Sequence, residues 1–199
     1  MWQTDRMFGF AIRLAIGYAL LVVPWPGLRD IYGTAFRACG NVLFASFGPS
    51  GSVRFVPADP TENKWDTETH LFKRGRADYW RMVQNSRYTG YLPTITLIVL
   101  VLATPVTWSR RGTALVWGLL LVHGFVACRL AVSFVYGFRR IGLFDYAPSI
   151  NRAVEITYEV VAISTVTSHV IPALIWVLVI FRRSDWVVAD APTPPVIKS

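Results

Sequence analysis

Two stretches of the chain carry no Asp, Glu, Lys or Arg, Tyr88 to Ser109 and Val160 to Phe181. Each is about 22 residues long, and about 20 apolar residues cross a bilayer core. Two more apolar stretches, Met7 to Val23 and Thr113 to Phe138, hold a single arginine each, Arg13 and Arg129. The pattern predicts a membrane all-α fold of about four transmembrane helices, at about 7–23, 91–108, 113–138 and 154–181. Pro93 falls in the first turn of the second span, where proline is tolerated. The four residues "SRRG" read as a tight link between spans two and three, which makes them antiparallel. Glu155 and Glu159, in the first two turns of span four, are expected to protrude to the interface.

Residues 24–90 have a different rhythm. Leu28 to Phe47 is amphipathic, with Ile31, Phe36, Val42, Leu43 and Phe44 among polar positions, and predicts a helix along the membrane surface. "FGPSGS" breaks it. "SVRFVP", "KWDTETHLFKRG" and "DYWRMVQNSRY" alternate as short strands do. A small β-rich extracytoplasmic segment carrying Trp65 and Trp80 follows. On span one, Ala11, Ala15 and Ala19 recur every four residues, a row suited to close helix packing. Residues 1–181 read as one integral membrane domain, and the proline-rich tail 182–199 as disordered and cytoplasmic. There is no internal repeat.

Composition narrows the function classes. Charged residues are 16% of the 199 and hydrophobic residues 53%, against roughly 25% charged in soluble domains. The net charge of +8 comes from residues that flank spans or sit in the first loop. That distribution suits anionic headgroups rather than nucleic acid. Cys39 and Cys128 are too few for a disulfide framework. No small-x-small cleavage site follows the first span, and "VPWPG" reads as an interfacial stop rather than the end of a signal peptide. Arg37 excludes a lipobox at Cys39. Arg6, Arg110, Arg111, Arg182 and Arg183 favour one side. Arg139, Arg140 and Arg152 in a short loop favour the other. The tight turn and the end of span four place both termini in the cytoplasm.

Polar residues inside the spans are the candidate chemistry. At about 1.5 Å per residue, Arg129 should lie roughly 13 Å deep. Ser133 and Tyr136 continue its face outward, and Glu159 is the expected partner in an interhelical Arg129–Glu159 pair. His123 is on another face of the same helix. His169 lies at a similar depth in span four, and two histidines fall short of a zinc set. Asp66, Glu68 and His70 alternate along a strand, which could gather two carboxylates and an imidazole around a metal. The same alternation also describes a solvated face opposite Thr67, Thr69 and Leu71. No Walker loop, Rossmann glycine pattern, zincin helix or nucleophile elbow is present. The spans are too apolar to line a pore. No cofactor is expected.

The stretch "RYTGYLPTITLIVLVLATP", with Tyr88, Gly90, Tyr91, Leu92 and Pro93 leading into an apolar helix, resembles the bacterial exosortase-associated membrane proteins of the exosortase H type. "SRRG" matches that family's basic turn and "SHVIPALIWVL" its last helix. The resemblance covers the layout of about 180 residues and implies an inner-membrane accessory partner in a protein-sorting system, with no catalytic activity to carry over. Exosortases themselves are membrane cysteine transpeptidases with Cys, Arg and His in that chain order. Cys39, Arg129 and His169 follow the same order, so a thiolate activated by imidazole, with arginine on the oxyanion, is an alternative. The span number, the spacing of about 90 residues from Cys39 to Arg129, and the depth of His169 count against it. A packing subunit of a larger membrane complex is a third reading.

Overall fold

The computed structural model describes residues 2–181 apart from 49, 60, 62, 63, 76–78, 145 and 165, with side chains from residue 7 onward. The expected disordered tail at 182–199 lies outside the described residues. The chain runs α1 (Trp2–Val22), α2 (Trp25–Leu43), β1 (Gly51–Pro57), β2 (Thr67–Lys73), β3 (Tyr79–Gln84), α3 (Leu92–Ala103), α4 (Trp108–Arg140), α5 (Pro148–Thr157) and α6 (Thr167–Ile180). Two π-helical segments, Arg87–Tyr91 and Tyr158–Ile163, lead out of the sheet into α3 and out of α5 toward α6.

The three expected strands form one antiparallel sheet in the order β1-β2-β3. The alternation resolves its two faces. Val53, Phe55, Thr67, Thr69 and Leu71 are buried, while Arg54, His70 and Arg81 share a row on the other face. The buried face packs on α4. Phe44, Val53, Phe55 and Leu71 form one cluster with Val126, Leu130, Phe134 and Phe138. The last third of α4 is thus the core of the β segment. Gly137 makes the approach close: a Cβ there would sit 2.3 Å from Leu71 Cδ1. A second cluster joins Leu97 and Val101 of α3, Ala114 and Val122 of α4, and Ile175 and Ile180 of α6.

The amphipathic helix α2 covers the free edge of β1 as well as offering an apolar side. Phe36 and Phe44 face the sheet, and Ile31, Val42 and Leu43 are exposed. Asn41 satisfies the edge: its amide donates to Phe55 O at 3.0 Å and its carbonyl accepts from Phe55 N at 2.7 Å. Unpaired strand groups need such a cover. Asn41→Leu keeps the bulk and removes both bonds. It is expected to lower stability by about 1–3 kcal/mol, read as a lower melting temperature of the detergent-solubilised protein.

The apolar helices depart from the four straight spans expected. Among the described residues, α4 alone is long and apolar enough to cross a membrane unbroken. Met7–Val22 and Trp25–Leu43 meet at 69°, and Pro148–Ile163 and Thr167–Ile180 at 80°. The expected continuous helix over 154–181 is therefore interrupted: Ser164 is extended, with ψ of 120°. The link between spans two and three is also displaced. Thr104 and Thr107 are extended and "SRRG" forms the first turns of α4. Pro105 explains this, because it disfavours helix at the residue before it. Ala11, Ala15 and Ala19 are exposed, so their row is not the packed face of α1. Gly17 makes that contact, its Cβ position 3.1 Å from Val99.

Candidate functional site

Arg129 is only 5% exposed, and its partners are set by two breaks in helical bonding. At the start of α3, Leu92 N–H bonds Arg87 O, five residues back. By the same spacing Tyr88 O would meet Pro93, which has no N–H to give. Before α6, the extended Ser164 ends the π-helical segment, so the last carbonyls of that segment lack intrahelical donors. Arg129 supplies both sites. Its Nε and Nη2 donate to Ala162 O at 3.1 and 2.7 Å. Nη1 donates to Tyr88 O at 3.2 Å and to Ser168 Oγ at 2.7 Å. Ser168 in turn donates to Tyr88 O at 3.1 Å, and Ser133 to Arg129 O at 3.1 Å.

The expected Arg129–Glu159 pair is not formed. Glu159 is exposed and the guanidinium is taken by carbonyls and a hydroxyl. The π-helical turn, which changes the angular step per residue, carries Glu159 away while leaving the Ala162 carbonyl facing α4. Ser133 does continue the polar stripe, and Tyr136 stacks on Tyr158 at 4.1 Å.

The other candidates do not converge. His123 is exposed and bonds its own helix at Leu119 O, 2.7 Å away. His169 lies 3.5 Å from Thr96 Oγ1 on α3. Cys39 and Cys128 are both exposed free thiols, and Cys39 makes no hydrogen bond with Arg129 or His169. On the sheet, Glu68 Oε1 lies 2.7 Å from His70 Nε2 and 2.8 Å from Arg81 Nε. The Arg81 bond, with a smaller contribution from His70, holds the Glu68 carboxyl below its ordinary value. Asp66 precedes β2 and faces elsewhere. It accepts from Ser86 N–H at 2.8 Å and from Ser86 Oγ at 2.5 Å, and so caps the helical segment that follows. Among the described residues, no three His, Cys, Asp or Glu side chains come together as a metal site.

What the fold does build is a cleft of about 800 Å³ between the sheet and the helices. Arg129, Leu130 and Ser133 form its floor, and Tyr158, Ala162 and Ile163 one wall. The end of β3 at Gln84, with Arg87 and Tyr88 beyond it, forms another, and Trp25, Arg29, Lys64 and Trp65 close the rim. Arg87 sits 5.7 Å from the Trp25 ring and 5.9 Å from the Tyr88 ring. Its Nε has no hydrogen-bond partner, and neither do the amide atoms of Gln84.

No family model, curated protein or solved structure matches the chain. The site therefore stands on its own geometry. Of its members, Arg129 and Ser133, which continues its face, are among the polar candidates named from the sequence. Trp25 lies far along the chain from Gln84 and Arg87, and nothing in the local pattern joins them. Ser168, four residues after Ser164, reads as part of a small-residue row for helix packing, although a serine within an uncharged stretch is itself a usable signal of a buried hydrogen bond.

Proposed function

We propose that the chain is a polytopic membrane protein of about four spans that acts as an accessory partner of another membrane protein, in an exosortase-type sorting system of the bacterial inner membrane. The membrane placement rests on α4. Residues 108–125 measure about 27 Å, close to the hydrocarbon thickness, and beyond them one face of α4, Val126, Leu130, Phe134 and Phe138, packs on the sheet. A sheet with an open edge, here β3, does not lie in hydrocarbon, so it marks the water side beyond that end of α4. Exposed Val116, Trp117, Leu120 and Leu121 suit lipid. At the other end Arg111 holds Thr104 O and Arg110 holds Ile180 O. This clustered positive charge favours the cytoplasm there, and with it both termini.

The observation that carries the accessory reading is the use made of Arg129. Its donors join α4 to the start of the second span and to the break before α6, which is a fastening role. The cysteine-enzyme alternative needs Cys39 beside a base, and His169 is engaged with Thr96 instead. A packing subunit of a larger complex is the second reading, favoured by the exposed row Ala11, Ala15 and Ala19, which leaves room for a close neighbouring helix. In a host with an exosortase, deletion of the chain is expected to lower processing of sorted surface proteins. Cys39→Ala should restore it in full. Loss of processing by Cys39→Ala at unchanged protein level would return the enzyme reading.

A further inference from the structure

The cleft is one-sided in charge. Arg29, Lys64, Arg87 and Arg129 line it, and among the described residues no Asp or Glu does. Arg129 is buried with only neutral acceptors around it. A buried cation without a counter-charge is costly, and an anionic ligand removes part of that cost. Gln84 is 9% exposed with an unpartnered amide, and a buried polar group without a partner asks for one. Asp66, near the rim in sequence, is already held by Ser86.

We propose that this cleft binds a phosphate group, and that the group is the headgroup of an acidic membrane phospholipid. Four guanidinium donors of Arg129 are used, so it contributes mainly charge. Arg87, oriented by Trp25 and Tyr88, has donors to give, and Gln84 and Lys64 add an amide and an ammonium. The lipid source follows from the walls. Met82, Val83, Leu130 and Ile163 give the cleft an apolar lining, and Val160 and Ile163 beside it are exposed, a path for acyl chains. Trp25, Trp65, Tyr88 and Tyr158 are the aromatic types that settle at headgroup level, and the cleft lies where the sheet meets the spans.

The test uses the full-length protein in nonionic detergent, titrated with short-chain phosphatidylglycerol or phosphatidylcholine. Melting temperature and tryptophan fluorescence are read together. Phosphatidylglycerol should raise the melting temperature and phosphatidylcholine should not. Arg87→Gln should weaken the apparent affinity about tenfold or more, as loss of a hydrogen bond to a charged group does. Gln84→Leu should weaken it less, and Arg13→Gln, outside the cleft, should leave it unchanged. Equal responses to the two lipids would overturn the proposal. So would an equal loss from Arg13→Gln and Arg87→Gln, the mark of diffuse attraction. If inorganic phosphate stabilises as well as phosphatidylglycerol, and Arg87→Gln abolishes that, phosphate recognition stands and the lipid source falls. Binding of a glutamate-rich peptide without binding of the lipid would make the ligand a peptide and the proposal wrong.

Discussion

Arg129→Ala is expected to destabilise the solubilised protein by about 3 kcal/mol. Four hydrogen bonds disappear, each from a charged donor and each of the stronger class, about 1.5–3 kcal/mol. Relief from burying the guanidinium offsets part of this sum. What the substitution leaves behind decides the sign. Ala162 O loses both its donors from Arg129, while Tyr88 O keeps the hydroxyl of Ser168. The orphaned carbonyl lies at the break before α6, where the backbone offers no replacement. Arg129→Lys should recover only part of the loss, because one ammonium replaces a fork that reaches Ala162 on one side and Ser168 on the other. Glu159→Ala should be silent. Thermal or steric-trap unfolding of the three variants checks the set. A Glu159→Ala loss as large as that of Arg129→Ala would show that the carboxylate is the true partner.

That contrast marks where sequence reasoning stops. A search for the partner of a buried arginine looks for an acid, and Glu159 is the acid within reach. The actual acceptors are mainly backbone carbonyls, which every residue carries and no residue type announces. One could be inferred: Pro93 lacks an N–H, so some carbonyl before it must look elsewhere. The other could not, because the stretch around Ser164 holds neither Gly nor Pro, and the Ser and Thr residues that follow it also occur inside membrane helices. The strands were legible because a sheet with one buried face imposes a period of two. Val53 and Phe55, then Thr67, Thr69 and Leu71, keep that period. The same rule paired Glu68 with His70 and failed at Asp66, which lies before the strand and caps a helix. At the second turn the arginines of "SRRG" suggested a loop, whereas Pro105 is the residue that ends α3. The cleft was not legible at all. Its unpartnered Gln84 looks like any polar residue near the end of a strand until the fold closes over it.

Phe134→Ala is expected to have the largest effect of any single substitution, about 3–5 kcal/mol. Phe134 has no exposed surface, and its ring lies 5.0 Å from Phe44, 5.8 Å from Phe47 and 5.7 Å from Phe55, all edge-on. Those three partners come from the end of α2, the connection after it and β1. One side chain of α4 therefore holds both covers of the β segment, and truncation leaves a cavity that four rigid elements cannot close together. The loss should be local. The cluster around Leu97, Val122 and Ile175 shares no side chain with the one around Phe134, and regions with separate cores open separately. Hydrogen exchange is the decisive reading. Amides of β1 to β3 should lose protection in Phe134→Ala while those of residues 108–125 keep it. Because β3 supplies Gln84 and leads into Arg87, the variant should also lose the response to phosphatidylglycerol, with residues 108–125 still folded. Simultaneous loss of protection in the sheet and in residues 108–125 would instead make the two clusters one cooperative unit, with Arg129 as the bond between them.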